Sequence, residues 1–201
     1  SMPVEFSEGW KILSGMLRVK TSTTFTRILY PSPGRKLWML FNQPEVPCFN
    51  LQLLEEIFHQ HDLLERSGGY LSIKGIDEKI RYSILGSMTP KVFNLGGQLD
   101  LFRELIRGRD REALRHYAIK CIDVIAQRVN HFKVDLTTIT LIQGDALGGG
   151  LEAALTSDII IAEKGSLMGF PEILFNLFPG MGAYSLVARK IGTTLDKKII
   201  L

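Results

Sequence analysis

The sequence predicts an α/β protein with parallel strand pairing, and three observations carry that reading. Short apolar or β-branched runs alternate with longer stretches of helical period. The breaks between them fall at glycine, proline and helix-capping residues. Two of the breaks share one order, in which a strand is followed by consecutive glycines and then by a helix.

Taken in chain order, residues 21–30 form the first strand, closed by the turn signal Pro31-Ser32-Pro33-Gly34. Residues 36–41 (Lys-Leu-Trp-Met-Leu-Phe) suit a buried strand. Asn50 can cap a helix that runs to about residue 66 and is ended by Gly68-Gly69. A strand is expected at 81–85 and a strand stub at 92–93. Asp110 can cap a long helix whose stripe is Leu114, Ala118, Cys121, Ile125 and Val129. Residues 137–142 (Thr-Thr-Ile-Thr-Leu-Ile) form a β-branched strand, and 158–162 another. Helical patterns follow at 172–178, 182–190 and 194–201. No repeat or low-complexity linker interrupts residues 1–201, which are read as one domain. Ser1-Met2 reads as a scar of tag removal, and the helical pattern still running at Leu201 without a cap reads as a chain cut short.

Composition narrows the function classes. With 201 residues, 45% hydrophobic and 22% charged, the chain has the balance of a globular domain rather than a disordered one. The net charge is +3, spread along the chain, and no basic run interleaved with aromatics argues for nucleic acid. A mild positive bias fits an anionic substrate carrier. Cys48 and Cys121 give neither a disulfide framework nor metal-ligand spacing, as expected for reduced thiols in the cytoplasm. His59 and His61 lie on different faces of a helix, and His116 and His131 are remote, so no metal is expected. No apolar run approaches the ~20 residues of a membrane span, and no signal peptide is expected from the pattern of the opening residues.

The most informative stretch is residues 141–155, Leu-Ile-Gln-Gly-Asp-Ala-Leu-Gly-Gly-Gly-Leu-Glu-Ala-Ala-Leu. A strand ends, three glycines follow, and a helix begins. Glycine lets a ligand approach the main chain closely, and the first helical amides lack intrahelical acceptors. With the helix dipole they form a receptor for developing negative charge. A tight turn with no ligand is the plain alternative. A phosphate site is disfavoured, because neither the P-loop lysine nor the six-residue dinucleotide fingerprint is present.

Glu152 stands in the first turn of that helix among Leu151, Ala153, Ala154 and Leu155. A carboxylate there suits the dipole by ~0.3–1 kcal/mol, but its apolar neighbours point to burial and to proton transfer. Glu172, in Met-Gly-Phe-Pro-Glu-Ile-Leu-Phe, is again a lone carboxylate among apolar residues. Alone it reads as a helix-start acid after Pro171; its weight comes from pairing with Glu152. Upstream, Phe93-Asn94-Leu95-Gly96-Gly97-Gln98-Leu99 repeats the glycine-turn order. Two amides from separate turns are what a carbonyl oxygen needs when a thioester becomes an enolate.

These residues resemble the crotonase (enoyl-CoA hydratase/isomerase) superfamily over residues 81–201. Gly-Gly-Gly-Leu-Glu-Ala-Ala-Leu is similar to the family's second oxyanion turn and first catalytic glutamate, which implies Gly149 as amide donor and Glu152 as acid/base. Gly-Phe-Pro-Glu-Ile is similar to the second glutamate motif and implies Glu172. Phe-Asn-Leu-Gly-Gly-Gln-Leu resembles the first oxyanion turn and implies Gly97, and Phe-Pro-Gly-Met-Gly-Ala at 178–183 resembles the family's Pro-Gly loop. Within the superfamily the chain most resembles the synthases of diffusible signal factor, the cis-2-unsaturated fatty acids of bacterial quorum sensing. Three stretches carry this: Val92 to Phe102, Gln143 to Leu155, and Pro171 to Ser185.

The resemblance implies a crotonase-like ββα spiral core whose C-terminal helical trimerisation region is missing, and a homotrimer when the chain is full length. The implied activity is dehydration of a 3-hydroxyacyl thioester on acyl carrier protein followed by thioester hydrolysis, without a cofactor. A hydratase or isomerase acting on acyl-CoA, and an inactive acyl-thioester-binding member, stay open. Leu151, Met168, Phe170, Leu174 and Phe178 are candidates to line an apolar acyl tunnel, and each can equally be core.

Overall fold

The computed structural model describes residues 19–22, 25–32, 34–43, 45–73 and 76–191. Strands β1 (Val19–Ser22), β2 (Thr26–Ser32) and β3 (Lys36–Phe41) form an antiparallel meander. Three parallel strands continue that sheet beyond β3. With β4 (Tyr70–Ile73) and β5 (Ile76–Lys79) paired separately as a hairpin, these are β6 (Tyr82–Ser87), β8 (Thr137–Ile142) and β10 (Ile159–Ala162). The spatial order is β1-β2-β3-β6-β8-β10. A second, three-stranded sheet, ordered β11-β9-β7, is wholly parallel. It is built from β7 (Lys91–Asn94), β9 (Gly144–Leu147) and β11 (Met168–Gly169).

Helices pack on these sheets. Helix α1 (Leu51–Arg66) starts where the Asn50 side chain accepts the Leu53 amide at 2.7 Å, and it buries Leu53, Leu54, Ile57, His61 and Leu64. It ends at Gly68 and Gly69. Helix α2 (Leu99–Arg107) leads into α3 (Arg111–Val129), capped by Asp110 on the Ala113 amide at 2.9 Å. Helices α4 (Gly149–Leu155) and α5 (Ala183–Ile191) follow, separated by a 3₁₀ turn at Pro171–Phe175. Between the sheets and helices, Phe41 packs on Phe49 and Phe93 with ring centroids 5.7 and 5.5 Å apart. Each of these rings is at most 2% exposed, and burying such a side chain stabilises the fold by about 1.5–3 kcal/mol.

Several sequence expectations are corrected. The strand expected over residues 21–30 is two strands, β1 and β2, because the threonine-rich run hides a reversal that pairs Ser22 with Arg27. The buried stripe of α3 is Tyr117, Cys121, Val124, Ile125 and Arg128, whereas Ala118 is exposed. Tyr117 and Arg128 carry polar groups that argue for the surface, yet both find internal acceptors and go inside. The helix expected at 172–178 is only the 3₁₀ turn. Strands β4, β5, β9 and β11 were not anticipated: β5 is charged, and β9 lies within the stretch read as a glycine turn. The pattern at 194–201 falls outside the described residues.

Candidate active site

All three strands of the second sheet point the same way, so their carboxyl ends share one edge. In open parallel sheets that edge is where ligands bind. Register aligns Asn94 of β7 with Ala146 of β9, and Gly169 of β11 with Leu147 of β9. Strand β7 therefore delivers Gly96-Gly97 ahead of α2, and β9 delivers Gly148 as the cap and Gly149 as the first residue of α4. Strand β11 delivers Glu172 on its 3₁₀ turn, tied by the Gly148 amide donating to the Gly169 carbonyl at 2.9 Å.

The two glycine turns touch. Gly96 has φ +87, and a Cβ there would stand 2.9 Å from both the Gly149 nitrogen and the Leu147 oxygen. Only a residue without a side chain lets the two main chains meet this closely. Among the described residues, neither the Gly97 nor the Gly149 amide donates to a protein acceptor. Both nitrogens are thus free to meet an oxygen from outside.

Glu152, on the first turn of α4, is 1% exposed. Its Oε1 accepts the Met181 and Ala183 amides, each at 2.9 Å, from the loop that opens α5. Burial pushes the carboxyl up to about 7, partly opposed by those two amides and reinforced by the nearby charge of Glu172. One oxygen is locked while the group stays poised to gain or lose a proton near neutrality. Glu172 lies over the second glycine turn: a Cβ on Gly148, whose φ is +51, would come 2.5 Å from Glu172 Oε1. Burial raises this carboxyl as well. Its Oε2 is buried and, among the described residues, has no hydrogen-bond partner.

The structure therefore brings Gly97, Gly149, Glu152 and Glu172 to one edge. The five apolar candidates divide. Leu151 and Phe170 are core residues, while Met168, Leu174 and Phe178 are 47%, 78% and 80% exposed. An apolar cavity instead lies behind the second turn, lined by Met39, Phe41, Phe49, Ile57, Leu85 and Met181 among others. Phe49 and Met181 also flank Gly149, where a Cβ would meet them at 3.7 and 2.9 Å. Sequence reading missed Phe49, Met181 and Ala183. The Pro-Gly-Met-Gly segment was flagged only as a loop, and nothing in its composition says that its amides hold Glu152. Among the described residues no helix is long and apolar enough to cross a membrane.

Comparison with known proteins agrees with this architecture. The family model described as enoyl-CoA hydratase/isomerase matches residues 39–201, and the chain belongs to that family. Its fold is the crotonase-like α/β fold of parallel sheets and helices. Mouse mitochondrial methylglutaconyl-CoA hydratase is 35% identical over 124 residues, covering 62% of this chain and 37% of that protein. Escherichia coli 2,3-dehydroadipyl-CoA hydratase is 36% identical over 63 residues, covering 31% of this chain and 25% of its own. The chain thus spans little more than a third of the first of these relatives. Among solved structures, Pseudomonas aeruginosa DspI superposes with TM-score 0.74 at 24% identity, covering 91% of this chain and 68% of that one. An enoyl-CoA hydratase of Bacillus anthracis gives 0.73 at 24%, covering 88% and 62%. At these identities the two structures share the fold.

Proposed function

We propose that this edge binds an acyl thioester and moves water across its Cα–Cβ bond. The observation that carries the reading is the contact of two glycine turns, each with a free amide, beside one buried and one half-buried carboxyl group. The thioester oxygen would accept from Gly97 and Gly149, and each such donor is worth ~2.7–4 kcal/mol when negative charge develops there. In the dehydration direction, one carboxylate removes the Cα proton to give the enolate. The enolate then expels the β-hydroxyl, which leaves as water after taking a proton from the other carboxyl. Glu152 and Glu172 are the pair, and both are held where their proton affinities lie closer to neutrality than in water.

The finer reading is a 3-hydroxyacyl group on acyl carrier protein, dehydrated and then released by thioester hydrolysis as a cis-2-unsaturated acid signal, by an enzyme that assembles as a homotrimer. Its support is the resemblance carried by the stretches around Gly97, Glu152 and Glu172. A coenzyme A thioester is the second reading, favoured by the CoA thioesters named for the mouse and E. coli relatives. Mass spectrometry of products from 3-hydroxyacyl thioesters, presented in parallel on carrier protein and on CoA, separates the two. A free cis-unsaturated acid from the carrier-protein substrate supports the first. An enoyl-CoA that stays esterified supports the second, and no change in either thioester overturns both.

A further inference from the structure

We infer that Tyr117 is a positioning residue that aims the Gly97 amide, an inference resting on the proposed use of that amide as a donor. Tyr117 sits on the buried face of α3 and is 6% exposed. Its hydroxyl donates to the Phe49 carbonyl at 2.7 Å, and Phe49 forms a parallel β-bridge with Gly97. The Phe49 amide in turn donates to the Gly96 carbonyl at 2.7 Å. The phenol thereby holds Phe49 against the Gly96-Gly97 turn. Two further bonds complete the clamp: Asn94 Oδ1 accepts the Gly96 amide at 2.8 Å, and the Leu95 amide donates to the Pro47 carbonyl at 2.8 Å.

The consequence is an elimination. The amides of Leu95 and Gly96 are each occupied, and the next amide of the turn, that of Gly97, has no protein acceptor among the described residues. The Phe102 ring closes the other side, edge-on to Tyr117 with centroids 5.0 Å apart. A Cβ on Gly97 would stand 2.8 Å from Phe102 and 3.5 Å from the Tyr117 oxygen. Burial pushes the phenol well above its ordinary range, so it remains an O–H donor. A hydroxyl that holds Phe49 against the donor turn fixes direction without touching substrate. Misplacing a donor by an ångström is enough to slow a reaction substantially.

The test compares wild type, Tyr117→Phe and Ile80→Val. Ile80 is fully buried and makes none of these contacts, so its variant imitates a small loss of core stability. Three readouts are taken: kcat and KM on an acyl thioester, the ultraviolet band of enolised acetoacetyl-CoA when bound, and amide hydrogen exchange over residues 94–101. Tyr117→Phe is expected to lower kcat about tenfold, a part of what loss of a whole donor costs, with KM within about twofold. It should also weaken the enolate band and speed exchange across residues 94–101, while Ile80→Val does none of these. Kinetics, band and exchange indistinguishable from Ile80→Val overturn the inference, as does a loss confined to KM. A wild type that neither turns over nor enolises the probe sinks the thioester reading instead, and the exchange comparison then still decides whether the phenol holds the turn. Where Tyr117→Phe does not fold, Phe102→Leu removes the ring that packs edge-on against the phenol and is judged by the same readouts.

Discussion

Glu152→Gln should make the protein more stable in mild alkali, with a pH dependence that identifies the buried carboxyl. The folded state raises this group from its ordinary 4.5 to about 7. Between those values the folded protein therefore binds more protons than the unfolded one. Its stability is complete below about pH 4.5, declines as pH rises through the window, and levels off above about 7. Each tenfold change in proton affinity is worth about 1.4 kcal/mol, so ionising Glu152 costs the fold about 3 kcal/mol at pH 8. Glutamine keeps an oxygen for the Met181 and Ala183 amides and never ionises. Urea unfolding of wild type and variant at pH 4.5, 6 and 8 measures this. With a slope of about 2 kcal/mol per molar, the midpoints should coincide at the lowest pH and differ by about 1.5 M at the highest, the variant being more resistant. Parallel midpoint profiles would refute the argument and mean that water already reaches the carboxylate.

Other outcomes follow from the same geometry. Glu152→Ala and Glu172→Ala should each cut turnover by ~10²–10⁴ with the fold intact by circular dichroism; near-wild-type turnover removes that residue from the chemistry. Gly96→Ala forces a Cβ against the Gly149 nitrogen and the Leu147 oxygen at 2.9 Å. It should cost more than ~1 kcal/mol in unfolding experiments, because the position also has positive φ, and should lower kcat by pushing the turns apart. His61 is fully buried, and burial, reinforced by the Arg128 charge, lowers it from 6.5 to about 3. Its sign is opposite to that of Glu152: stability is full above about 6.5 and is lost, by up to ~5 kcal/mol, as pH falls toward 3. His61→Gln should flatten that acid limb in urea titrations, and an unchanged limb would place the acid sensitivity elsewhere.

Much of the fold was legible because its signals are local. The Asn50 and Asp110 caps, the β-branched strand at 137–142 and the apolar run at 36–41 each state their conformation within a few residues, and the structure agrees. The glycine turns and lone glutamates were legible for the same reason, since a carboxylate among alanines and leucines is a local anomaly. What was illegible depends on partners distant in the chain. The four-residue strand β9 gains its identity only from β7 and β11 beside it. Tyr117 and Arg128 are buried because Phe49, Ser157 and Ile139 offer acceptors 68, 29 and 11 residues away. No local pattern announces such bonds, so the α3 stripe was drawn through Ala118 instead.

The small parallel sheet is what turns separate motifs into one site. An antiparallel pairing of β7 with β9 would put Gly97 and Gly149 at opposite ends of the strands, roughly 13 Å apart for four-residue strands at about 3.3 Å per residue. Parallel pairing leaves both turns at one end, and the absence of a side chain at Gly96 lets them touch. The third strand adds Glu172 at that same end, while Glu152 needs no strand of its own because it lies one helical turn beyond Gly149. Its carboxyl would still be free to swing were it not for the loop before α5, whose Met181 and Ala183 amides fix one oxygen. The glycines thus fix how closely the main chains approach, strand polarity fixes which ends coincide, and the α5 loop fixes the orientation of the more deeply buried acid.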